Sequence, residues 1–112
     1  MKIAFTSKGK DWDAPIDPRF GRTEYFFIYD EKSGGSRIVD NTDVTHEAHG
    51  AGPKTAQRLF GEKAEILITG NGPGGNAASV LEKAGMRIYT GAGQMSIKEA
   101  YEAYKKGDLK QF

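Results

Sequence analysis

Short apolar runs separated by polar or glycine-rich breaks divide the chain into candidate strands and helices. Lys2 to Thr6 (KIAFT) alternates apolar and polar residues, the period of a strand. Ser7 to Thr23 is a long connection, a length at which loops in small domains carry function. Glu24 to Asp30 (EYFFIYD) is aromatic-rich and apolar on both faces, which predicts a covered strand. Lys32-Ser33-Gly34-Gly35 reads as a hairpin turn, and Ser36 to Asn41 (SRIVDN) as its antiparallel return. Pro53 then opens a helix, since its missing N–H is harmless in a first turn. Ala56, Leu59 and Phe60 are expected to face the core, with Gly61 as the stop.

The stretch Ala64 to Gly85 organises the rest. Ile66, Leu67 and Ile68 suit a strand buried on both faces, and the run is too short for a helix. Glycine accepts crowded or left-handed backbone, so Gly70-Asn71-Gly72-Pro73-Gly74-Gly75-Asn76 predicts a tight turn. Ala77, Val80, Leu81 and Ala84 follow at helical spacing, and Gly85 is the stop. Strand, glycine turn and helix make half of a parallel βαβ unit, with N–H groups offered to an anion at the helix start. Arg87 to Thr90 (RIYT) is the last expected strand. Beyond the Gly91-Ala92-Gly93 turn, Ser96 and Glu99 form a capping box. Ile97, Ala100, Tyr101 and Tyr104 give an amphipathic stripe that ends at Gly107.

The order β-β-β-α-β-α-β-α predicts an α/β fold in one domain, residues 1–112: a five-stranded mixed sheet with three helices, arranged like ribonuclease H. Strands one, three, four and five would end on one edge. The loops Ser7–Thr23, Asn41–Gly52, Gly70–Asn76 and Gly91–Met95 would meet there, where open α/β sheets bind ligands.

Composition narrows the chemistry. Cysteine is absent, which excludes disulfides, a thiol nucleophile and clusters held by thiolates. Sixteen basic and fifteen acidic residues are well mixed and leave a net charge of +1, without the basic stripe of a nucleic-acid binder. With no membrane-length apolar run and no signal-peptide pattern at the start, the expected location is the cytoplasm, with no membrane partner.

Gly70-x-Gly72-x-x-Gly75 matches the dinucleotide fingerprint only in letters. Pro73 interrupts it, the strand is the fourth, and the following strand lacks the acidic residue that would hold a ribose. No Gly-Lys-Ser/Thr follows, so a phosphate P-loop is excluded. The turn either serves tight packing or holds another anion. His46 and His49, three apart before the first helix, are either exposed loop residues or a metal-binding pair. Arg19 and Arg22 flank Phe20-Gly21 and suit an anionic ligand, while the plainer reading is a core Phe between surface arginines. No nucleophile elbow, catalytic triad or two-metal carboxylate cluster is visible, so an enzyme is not expected.

The combination Asp17-x-x-Phe20-Gly21-Arg22-x-x-x-Phe26, the histidine loop into Gly50-x-Gly52, and ILITGNGPGGNA through AGMRIYTGAG resembles the dinitrogenase iron-molybdenum cofactor biosynthesis family. The resemblance covers nearly the whole chain. It implies a ribonuclease H-like fold and non-enzymatic binding of the iron-molybdenum cofactor, or an iron-sulfur precursor cluster, carried between assembly and acceptor proteins in nitrogen fixation. The implied cofactor-binding residues are Arg19, Phe20, Gly21, Arg22, Asn71, Gly72, Gly74, Gly75 and Asn76; the implied metal ligands are His49 first and His46 second. The alternative function is a regulatory or scaffolding module that binds a protein partner or small anion without metal.

Overall fold

A computed structural model of the chain describes residues 1–44 and 51–112. Its strands are β1 (Lys2–Ser7), β2 (Tyr25–Asp30), β3 (Ser36–Asp40), β4 (Ile66–Ile68), β5 (Arg87–Thr90) and β6 (Lys110–Gln111). The helices are α1 (Ala51–Gly61), α2 (Gly75–Lys83) and α3 (Ile97–Lys106), with a short 3-10 turn at Thr42–Val44. One open mixed sheet has the order β3-β2-β1-β4-β5-β6. β1, β4 and β5 run parallel, and β2 is antiparallel to both of its neighbours. The strands β1, β3, β4 and β5 therefore end at the same edge.

Alternation within the strands divides the core into two layers. Ala4, Phe26, Ile28, Leu67 and Ile88 point to one face, where Ala56 and Leu59 of α1 and Ala77 and Leu81 of α2 cover them. Ile3, Phe5, Phe27, Ile66 and Ile68 point to the other and pack under Ile97 and Ala100 of α3. Each fully buried aliphatic or Phe side chain contributes about 1.5–3 kcal/mol of transfer free energy, so helices on both faces are the expected outcome of that alternation.

The helix ends follow local rules. Ser96 Oγ accepts the Glu99 N–H at 3.2 Å and Glu99 Oε1 accepts the Ser96 N–H at 2.9 Å, the reciprocal capping box at the start of α3. The Ser96 N–H bond to its carboxylate, helped by the Ser96 hydroxyl beside it, holds the Glu99 carboxyl below its ordinary range. Gly85 and Gly107 sit in the left-handed region, φ 79° and 78°, and end α2 and α3 as their spacing predicts.

Several expectations are corrected. The sheet has six strands, not five, because β6 pairs antiparallel with β5 through Tyr89–Gln111 and Thr90–Lys110. Two exposed polar residues carry no periodicity from which to read a strand. Phe60 does not face the core: its surface is 57% exposed. The buried stripe of α1 runs through Ala51, Thr55, Ala56 and Leu59, and Phe60 lies one residue, about 100°, beyond it. Ala84 is likewise exposed, at the C-cap of α2. The described part of α1 starts at Ala51, which makes Pro53 its third residue, still within the turn that needs no N–H partner.

Gly61 is the last helical residue of α1, but the chain reverses at Lys63, the one described non-glycine residue with positive φ (59°). A side chain in that conformation costs roughly 1 kcal/mol, and Lys63 is exposed. Lys63→Gly should therefore raise the unfolding free energy by about 0.5–1 kcal/mol, measured as a shifted urea midpoint at unchanged slope.

Candidate functional site

At the carboxyl edge of the sheet, glycines let three backbones meet. A Cβ on Gly70 would stand 2.6 Å from Pro18 Cα and 3.0 Å from Gly93 Cα, so no other residue fits between those loops. Hydrogen bonds fix the crossing: Asn71 N–H donates to Pro18 O at 2.8 Å, and Gly91 N–H to Gly70 O at 3.0 Å. The loop containing the arginines is thereby tied to the glycine turn, and the turn to the loop after β5.

A second close approach brings the arginine turn to both helix starts. A Cβ on Gly21 would lie 3.1 Å from Gly52 Cα, and one on Gly52 would lie 3.7 Å from Ala77 Cβ. Beneath this contact, Asn41 Nδ2 donates to Thr23 O at 2.9 Å and to Thr55 Oγ1 at 3.1 Å, and the Thr55 hydroxyl donates to Gly21 O at 3.0 Å. All three of Thr23, Asn41 and Thr55 are fully buried, and their polar groups satisfy one another.

Helix α2 begins in this setting. Gly74, at its N-cap, has no side chain to cap with, and the N–H groups of Gly75, Asn76 and Ala77 have no acceptor within the helix. Asn71, Gly74, Gly75 and Asn76 are exposed, and Gly72 is half-buried. Partial positive charge and open N–H groups therefore face outward here.

Arg19 is aimed by a residue that sequence reading left unassigned. Asp17 is fully buried, and its Oδ1 accepts the Arg19 backbone N–H at 3.0 Å and Nε–H at 3.4 Å. Its other oxygen, Oδ2, has no hydrogen-bond partner among the described residues. The Asp17 main chain is fixed by β1: Asp17 N–H donates to Thr6 O at 3.0 Å, and the Thr6 hydroxyl donates to Asp17 O at 2.7 Å. The available signal was the Asp-x-Arg spacing, since an aspartate readily accepts the N–H two residues on. Half of the Arg19 side chain, 57%, remains exposed beyond this tether.

Phe20 is buried against Phe26, ring centroids 5.8 Å apart, so its side chain anchors the turn from within the core. Arg22 is half-buried beside it. Of the predicted site residues, Arg19, Gly21 and Arg22 share one edge with Asn71, Gly72, Gly74, Gly75 and Asn76. His46 and His49 lie outside the described residues. Arg58 of α1 donates to both Asp43 carboxylate oxygens, at 2.6 and 2.9 Å, and to Asn41 Oδ1 at 2.6 Å. The Arg58 bonds hold the Asp43 carboxyl below its ordinary range. Among the described residues no three His, Cys, Asp or Glu side chains form a metal-ligating group, and no helix is long and apolar enough to cross a membrane.

These features define a small α/β protein of the open mixed-sheet class, with an arginine-bearing turn and an uncapped helix start at the strand carboxyl ends. The chain belongs to the dinitrogenase iron-molybdenum cofactor family, whose model matches residues 1–107. Its fold is similar to that of the apo form of the orange protein from Desulfovibrio gigas, with a TM-score of 0.92 at 31% identity over 99% of this chain and 92% of that one. It is also similar to a Thermotoga protein of the DUF35 family, solved by NMR, with a TM-score of 0.84 at 40% identity over 98% of this chain and 91% of that one. No curated protein matches it significantly.

Proposed function

We propose that this protein binds an anionic metallocluster, the iron-molybdenum cofactor or an iron-sulfur precursor, and carries it to an acceptor without catalysing a reaction. The observation that carries this reading is the convergence of Arg19 and Arg22 with the uncapped N-terminus of α2 on one edge, in a chain of this family. Guanidinium forks and backbone N–H groups are strong donors to sulfide and oxide ligands of such a cluster. Without cysteine, the protein holds its cargo by donors that exchange readily, which suits transfer over permanent residence. His49, and secondarily His46, supply imidazole ligands to iron or molybdenum. The strand order β3-β2-β1-β4-β5, with β2 antiparallel, supports the ribonuclease H-like description.

Anaerobic titration of the 15N-labelled protein with isolated cofactor tests this reading. Broadening or shifts centred on the amides of Gly72, Gly74, Gly75, Asn76 and Ala77, and on Arg19, Arg22 and His49, are expected. Unchanged spectra at saturating cofactor, or shifts centred on α3, would overturn it.

A further inference from the structure

Gly72 has a contact that its glycine identity alone makes possible. An added Cβ would overlap Cδ1 and Cε1 of the Phe112 ring, forty residues away in the chain. That ring rests on the glycine turn, yet Phe112 is 53% exposed, so it covers the turn without joining the core. β6 brings it there. This strand is two exposed residues long, paired with β5 on one side only, and extended by one bond from Phe112 N–H to Ile88 O at 2.8 Å. Upstream, Leu109 packs with the α3-side core, and Gly107 (φ 78°) sets the chain's direction as it leaves α3.

From this geometry we infer that β6 and Phe112 form a strap that gates the glycine turn, with Phe112 setting access to the site proposed above, on which the inference rests. In the closed state the ring occupies the space directly over Gly72, where a cluster would approach the exposed groups from Asn71 to Asn76. Opening releases the two-residue pairing, the Phe112 N–H bond and the Thr90 hydroxyl's bond to Lys110 O at 3.4 Å, all of them at the edge of the sheet. Short edge pairings of this kind belong to the least stable part of a fold. A site closed most of the time binds with its affinity reduced by the fraction open; a strap closed about ten to one imposes roughly a tenfold reduction. The same ring, once displaced, is free to fold back over bound cargo.

Two substitutions open the strap by different routes. Phe112→Ala removes the ring. Gly72→Ala keeps it but fills its seat: the φ of Gly72 lies outside the left-handed region, and the three atoms nearest the added methyl group all belong to the ring. The probe is tetrathiomolybdate, an anionic molybdenum-sulfur species, added to the 15N-labelled protein. In the wild type the Gly72 signals should carry an aromatic ring-current shift that disappears on binding. Both variants should bind about tenfold more tightly or faster, and the double variant should add nothing to either. Binding reported at Arg19 and Asn76 with the ring-current shift of Gly72 intact would overturn the strap and leave the site standing. Weaker binding by Phe112→Ala would also overturn it, by making the ring part of the binding surface. Binding by the two variants but not by the wild type would establish the gate, whereas binding by none of the three proteins would contradict both strap and site.

Discussion

Gly70→Ala is expected to destabilise the fold by roughly 3 kcal/mol, the upper range for forcing a methyl group into packed surroundings. The added Cβ would stand 2.6 Å from Pro18 Cα, 3.0 Å from Pro18 Cβ and 3.0 Å from Gly93 Cα. Backbone lies on both sides, so no side-chain rotation relieves the overlap. Neither backbone is free to retreat, because Asn71 N–H to Pro18 O and Gly91 N–H to Gly70 O tie the same three segments together. The substitution should therefore break the crossing that assembles the edge as well as lower stability. Gly75→Ala is the matched control: among the described residues, nothing outside its own helix backbone and chain neighbours lies within 4 Å of its Cβ position, and alanine in the first turn of α2 should stabilise by about 0.5–1 kcal/mol. Urea unfolding of the two variants reads opposite signs for the same chemical change.

The largest effect on binding should come from Arg19→Gln, with cluster affinity falling about tenfold or more, the worth of one charge-assisted donor at roughly 1.5–3 kcal/mol. Stability should fall as well, since the Arg19 side chain, though 57% exposed, is a cationic partner at 3.4 Å for the fully buried Asp17 carboxylate. The backbone N–H bond to Asp17 Oδ1 at 3.0 Å remains in the variant and keeps the turn in place. Arg19→Lys should recover only part of the affinity, because an ammonium lacks the planar fork. The loss should also shrink as salt is raised, since an exposed cation is screened within about 10 Å at moderate ionic strength. Equal affinity of wild type and Arg19→Gln at low salt would remove this residue from the site.

How much of this was legible in sequence depends on how local the cause is. The period-2 run of β1, the aromatic-rich run of β2, the apolar run Ile66–Ile68, the Ser96–Glu99 capping box and the stops at Gly85 and Gly107 each follow from a few adjacent residues, and each stands in the structure. The edge was legible too, because strand direction follows from hairpins and crossovers, and Gly70 announced a close approach. Contacts between distant residues were not. Phe112 meets Gly72 through a strand two residues long, too short to show any pattern. Asp17 is buried beside an arginine two residues on, and nothing in its spacing told which oxygen would be left unpartnered. Phe60 was misplaced because an apolar residue one step off a helical stripe reads as core until the neighbouring helix is in place.

The most direct test of the carrier reading is anaerobic gel filtration of the protein mixed with isolated iron-molybdenum cofactor, with iron and molybdenum counted in the protein peak. The account predicts both metals co-eluting with the wild type, in the ratio of the intact cofactor, and reduced with Arg19→Gln or His49→Ala. A wild-type peak carrying neither iron nor molybdenum would contradict it.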